Sequence, residues 1–148
     1  MLPLTGTCRC GAVVMEISAP VLLTSVCHCR GCQRMSASAF SLSALVPVEG
    51  FRVVRGEPVV GGLKGPDINH FFCPDCMTWM FTRFPGLPHV VNVRSTMFDD
   101  AAFGDPFLET MTAEKLPWVT TPAPRSYEGF PSMEDFAVLM EQFAAAQA

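Results

Sequence analysis

A chain of 148 residues and 16.1 kDa is the size of one folded domain and buries a core without disulfide staples. A formal net charge of −4, a sequence pI near 5.2 and the lack of any lysine or arginine run leave no electrostatic footprint for nucleic acid, which is disfavoured as a partner. No apolar run approaches the ~20 residues that span a bilayer, and the start Met1-Leu2-Pro3-Leu4-Thr5-Gly6 lacks a charged region followed by an apolar signal core, so no membrane partner and a cytoplasmic location are expected.

Along the chain, Gly6 marks a turn before Cys8, Cys10 and Gly11, and the β-rich stretch Ala12 to Ile17 ends at Pro20. Val21 to Val26 is a second apolar stretch that runs straight into Cys27-His28-Cys29-Arg30-Gly31-Cys32. Gln33 to Ser38 reads as a short helix or irregular turn, and Phe40 to Val46 as a strand closed by Pro47 and Gly50. Two short strands are expected between Phe51 and Val60 around Gly56, and residues 61–67 form a loop by composition. Thr78 to Phe84 and His89 to Val93 flank a Pro85-Gly86 turn, residues 99–106 are turn-like, and Phe107 to Met111 is a further strand. Thirteen prolines argue against long helices before residue 130. After that point Ser132 is an N-cap, Glu134 and Asp135 occupy a first turn, and Phe136, Leu139, Met140 and Phe143 recur at helical spacing, which predicts a helix over about 132–146. The reading is one mainly β domain over residues 1–148 with a C-terminal helix. Its 49% hydrophobic content predicts a generous core or an apolar face that pairs with a second copy as a homodimer.

In a reducing compartment seven cysteines point to metal rather than to disulfides. They divide into Cys8/Cys10, Cys27/Cys29/Cys32 and Cys73/Cys76, each a CxC or CxxC unit, with none left over. Two such pairs, both beside turn-forming residues, make a closed four-thiolate zinc site from Cys8, Cys10, Cys73 and Cys76 that clips the N-terminus to mid-chain. The alternative is that these four are buried small hydrophobes. Cys27, Cys29 and Cys32 have no fourth cysteine, so a zinc bound there keeps a position open for water or substrate, and these three are the candidate catalytic residues. The alternatives are a second structural site completed by a histidine and an unmetallated redox cluster. His28, between two ligands, is read as supporting rather than ligating, and His70 and His89 are weaker candidates. The Asp99-Asp100 pair is read as solvated surface, while Phe71, Phe72, Met77 and Met80 are read as core. Arg30 and Arg34 are candidates for pairing with a substrate carboxylate or for offsetting thiolate charge.

The motifs Gly6-Thr7-Cys8-Arg9-Cys10-Gly11, Cys27-His28-Cys29-Arg30-Gly31-Cys32-Gln33-Arg34 and Phe72-Cys73-Pro74-Asp75-Cys76 closely resemble the glutathione-dependent formaldehyde-activating enzyme family, whose domain is shared with centromere-protein-V-like proteins. Ser38-Ala39-Phe40, Val93 to Asp100 and Lys115-Leu116-Pro117-Trp118 extend the resemblance over roughly residues 4–120. The resemblance implies an Mss4-like zinc-containing β fold with a structural and a catalytic zinc. It also implies a carbon–sulfur lyase-type activity on a small thiol or aldehyde adduct, with glutathione adding to formaldehyde to give S-hydroxymethylglutathione. A zinc-stabilised binding module and a thiol-redox or metal-buffering protein are the competing functions. Met77 departs from the glycine usual after the second pair, so some reshaping of that knuckle is expected.

Overall fold

Short extended segments, punctuated by glycine and proline, assemble into two sheets. The computed structural model describes residues 1–99 and 103–148. Among these, the strands in chain order are β1 Leu4–Thr7, β2 Val14–Ile17, β3 Leu23–Cys27, β4 Ser41–Pro47, β5 Phe51–Arg55, β6 Val59–Gly61, β7 Asn69–Phe72, β8 Trp79–Arg83, β9 Val90–Arg94, β10 Leu108–Thr110 and β11 Arg125–Ser126. Two helices, α1 Arg30–Ser36 and α2 Met133–Gln147, complete a mainly β fold with a C-terminal helix.

The small sheet has the order β1-β2-β5, and the large one the order β11-β10-β3-β4-β9-β8-β7-β6. All pairings are antiparallel except that β10 runs parallel to β3 and to β11. The two-residue alternation of strands sorts the side chains between faces. Ala44, Val46, Val91, Val93 and Phe81 of the large sheet meet Met15, Ile17 and Phe51 of the small one in the main core. Gly6 belongs to this packing because a Cβ there would stand 2.8 Å from the Phe98 ring.

The opposite face of the large sheet is divided. At one end α2 lays Leu139 and Phe143 on Leu23 and Leu108. Toward the other end the face turns polar. Opposed residues share a face, so the pairings Ser25 with Ser43, Cys27 with Ser41, Ser43 with Arg94 and Thr110 with Cys27 line up one polar row. The 3.4 Å contact between the Ser25 and Ser43 hydroxyls agrees with that register.

Several local expectations are corrected. Gly6 lies within β1 rather than in a turn, because pairing with β2 holds it extended. The two strands expected around Gly56 do form, as β5 and β6, and they enter different sheets. α1 starts at Arg30, inside the cysteine segment, because the Cys29 sulfur caps it. Met77 is 57% exposed and is not core, whereas Met80 and Phe72 are buried. α2 is capped as expected, the Ser132 hydroxyl accepting from the Asp135 N–H at 3.1 Å. Asp100 lies outside the described residues, and Asp99 is exposed. No helix among the described residues is long and apolar enough to cross a membrane.

Candidate metal centres

The connection between β1 and β2 carries Cys8 and Cys10, and that between β7 and β8 carries Cys73 and Cys76. These turns belong to different sheets, yet they bring the four sulfurs within 4.8 Å of one another. Cys8 and Cys10 sulfurs stand 3.7 Å apart, and Cys10 and Cys73 sulfurs 3.8 Å apart. A tetrahedron with metal–sulfur bonds of ~2.3 Å has edges of about 3.8 Å, so the donor set fits a four-thiolate centre.

Local backbone geometry aims these sulfurs. Gly11 takes a left-handed φ of +79° and folds the first turn back, so that the Val13 N–H donates to the Cys8 sulfur at 3.3 Å. In the second turn Met77 takes a left-handed φ of +57°, its N–H donating to the Cys73 carbonyl at 2.9 Å while the Cys73 N–H reaches Thr78. The knuckle therefore keeps the shape a glycine would give it, and the expected reshaping is replaced by backbone strain of ~1 kcal/mol. Thr78 ties the two turns together: its hydroxyl accepts from the Arg9 N–H and lies 3.0 Å from the Cys76 sulfur. That hydroxyl is the main reason the Cys76 thiol is drawn down to about 5.

Cys27, Cys29 and Cys32 form the second group, their sulfurs also within 4.8 Å of one another and all half-buried. Cys27 ends β3, Cys29 is the residue before α1, and Cys32 lies in its first turn. The Cys29 sulfur accepts from the Cys32 N–H at 3.3 Å, which locks the two donors together. Hydrogen bonding from Cys32 pulls the Cys27 thiol down to about 5, while the same bond and burial push Cys32 up. Among the described residues neither group includes a histidine or carboxylate, so the second offers three donors and no fourth.

His28 joins neither group because strand alternation turns it to the face opposite Cys27. It is fully buried, and its Nε2 meets the Glu109 carboxylate at 2.9 Å. Glu109 also accepts from Lys115, Thr121 and Ser126 at 2.8–3.3 Å. Burial works against its ionisation, but these hydrogen bonds outweigh it, led by Thr121 and His28, and hold the carboxyl down at about 2. Around this carboxylate, Gln33 donates to the carbonyls of His28 and Glu114, and the Glu114 carboxylate accepts from the Arg30 N–H at 2.7 Å. The cysteine segment is thus fastened to β10 and the turn after it.

Glu109 was not identified from the sequence; the available signal was a lone acid flanked by Leu108 and Thr110 in a strand. Arg30 and Arg34 are both exposed on α1. His89 is exposed before β9. His70 is buried, its Nδ1 lying 2.9 Å from the Thr82 hydroxyl, and burial together with the nearby Arg94 charge lowers its proton affinity.

A crystal structure of a protein from Rhodobacter sphaeroides is similar to this chain, with a TM-score of 0.53 at 25% sequence identity over 64% of this chain and 87% of that one. Residues 3–114, most of the chain and every cysteine in it, match the family model described as glutathione-dependent formaldehyde-activating enzyme. The paired turns, the three-sulfur group and this match lead to one assignment: the chain belongs to the glutathione-dependent formaldehyde-activating enzyme family.

Proposed function

We propose that this protein is a zinc-dependent enzyme that makes or breaks the carbon–sulfur bond of a small thiol adduct, with glutathione and formaldehyde as the substrates. The observation that carries the reading is the contrast within one chain of a four-sulfur set and a three-sulfur set. Cys8, Cys10, Cys73 and Cys76 would hold a structural zinc, and Cys27, Cys29 and Cys32 a second one. At the second site zinc would supply Lewis-acid stabilisation of the negative charge that moves between sulfur and oxygen as the bond forms.

The protein's own contribution is positional. The Cys32 N–H holds the Cys29 sulfur against its own turn, and Glu109 anchors the segment through His28. The resulting preorganisation means that little rearrangement is needed when substrate arrives. Arg30 and Arg34, exposed on α1, offer cationic partners to the carboxylates of glutathione.

The test is metal content combined with an NMR assay of adduct formation from glutathione and formaldehyde. Two zinc ions per chain and acceleration over the uncatalysed rate are expected. One zinc, or two zinc ions without acceleration, would refute the reading. Zinc release with oxidation of Cys27, Cys29 and Cys32 under mild peroxide would favour a redox role instead.

A further inference from the structure

Arg94 closes β9, and although it is only 6% exposed it forms no salt bridge among the described residues. Its Nη2 donates to the Thr82 hydroxyl at 2.8 Å, and the guanidinium lies 3.8 Å over the Trp79 ring. Among the described residues its Nε–H has no acceptor, the buried Trp79 Nε1–H has none, and the buried Ser41 hydroxyl, which neighbours the Cys32 sulfur, makes no full hydrogen bond. A buried cation with spare donors is costly unless negative charge reaches it. Burial draws its pKa down only to about 10, so the group stays cationic at neutral pH.

The strand register places Ser41 and Arg94 on the face that carries the three-cysteine set, and Trp79 lies against Arg94. Ser41 is paired with Cys27, and Arg94 with Ser43 two residues along on the same face. The spare donors therefore adjoin the side of the fold that carries the incomplete sulfur set.

We propose that the Nε–H of Arg94 and the Nε1–H of Trp79, assisted by the Ser41 hydroxyl, form an oxyanion-recognising site beside Cys27, Cys29 and Cys32 that receives the oxygen of a small aldehyde or of its thiol adduct. The inference rests on the reaction proposed above. There, a thiol gives up its proton to solvent and its sulfur bonds to the aldehyde carbon. The C=O π pair moves onto oxygen, and that oxygen takes a proton from solvent. Charge develops on the oxygen between these two events, and fixed donors stabilise it there more than in the reactants. In reverse the same donors receive the oxygen as the C–S bond breaks.

The experiment uses the zinc-loaded full chain. Its two tryptophans, Trp79 and Trp118, give two indole N–H signals in a 1H–15N spectrum, assigned with Trp118→Phe. Glutathione with formaldehyde should shift the Trp79 signal downfield, leave that of the exposed Trp118 in place, and do so more than glutathione alone. Arg94→Met should lower kcat by roughly 10²–10³ with a smaller change in KM, and Arg94→Lys should recover part of the loss. Should Arg94→Met fail to fold, Trp79→Phe, which keeps the ring and removes one donor, carries the kinetic comparison. An unmoved Trp79 signal, or a folded, metal-replete Arg94→Met within about twofold of the parent kcat, overturns the inference while leaving the reaction in place. No acceleration by the parent protein overturns the reaction and this site with it.

Discussion

The two cysteine groups use the same donor atom and the same close spacing, yet they are built differently. The four-sulfur group draws one pair from the small-sheet hairpin and one from a large-sheet hairpin, so its donors converge from two directions. The three-sulfur group comes from one segment, residues 27–32, where a strand end runs into a helix. Donors on so short a piece of chain approach a metal from one side and leave the other side free. Two separate turns can enclose an ion, whereas one turn can only seat it. Their surroundings follow the same division: the first group adjoins the apolar core, while the second adjoins a row of serines, Thr110 and Arg94.

The largest test of this contrast is Cys73→Ser against Cys29→Ser. Cys73 is fully buried at the junction of the two sheets, so its loss should release one metal and abolish cooperative thermal unfolding, because metal affinity at such a centre is folding free energy. Cys29→Ser should release one metal, abolish activity and leave a cooperative transition. Metal analysis with circular dichroism reads both; collapse of both variants, or of neither, would erase the distinction.

Glu109→Gln comes next. It removes the charge from the carboxylate that anchors His28 and should cost about 2–3 kcal/mol, lowering Tm by roughly 5–10 °C. The sign of its pH dependence follows from a carboxyl that binds its proton near 4.5 when unfolded and near 2 when folded. Its stabilisation is complete above about pH 5 and is lost as pH falls from there toward 2. The stability gap between parent and variant should therefore close across that window in denaturant titrations, and a constant gap would contradict the assignment.

Thr82→Val removes the hydroxyl shared by Arg94 and His70 and leaves both with less buried hydrogen bonding. A loss of about 1–3 kcal/mol is expected by denaturant unfolding, with both metals retained. The smallest effect is of opposite sign. Met77→Gly relieves the left-handed strain in the four-sulfur knuckle and should stabilise by up to ~1 kcal/mol, offset in part by the greater freedom of glycine in the unfolded chain. A rise in Tm of about 2–4 °C would register it, and a fall would show that no strain is stored there.

Much of the architecture was legible in local patterns. The runs at 12–17, 40–46 and 89–93 contain strands because their β-branched residues alternate between turn formers, and the residue 132 cap and the 136–143 stripe produce α2 because both signals lie within a few residues. β1, β7 and the two-residue β11 were missed. Thr5 and Gly6 carry little strand signal of their own, and Asn69–Phe72 is recruited by pairing with β8 on one side and β6 on the other. Met77 was misread as core because hydrophobicity alone does not say that a knuckle tip points outward.

The division of seven cysteines into units of two, three and two is written in the chain, because thiolates that could serve one metal from one turn must lie a few residues apart. It also determined which set would be short of a donor. What surrounds that incomplete set emerges only when the chain folds. Glu109 reaches His28 across 81 positions, and Arg94 comes to face the Cys27 row through two strand pairings. Such meetings depend on sheet order and register, which are fixed by the burial of Val26, Ala44, Val46, Val91 and Val93 on the other face, far in sequence from the groups they position.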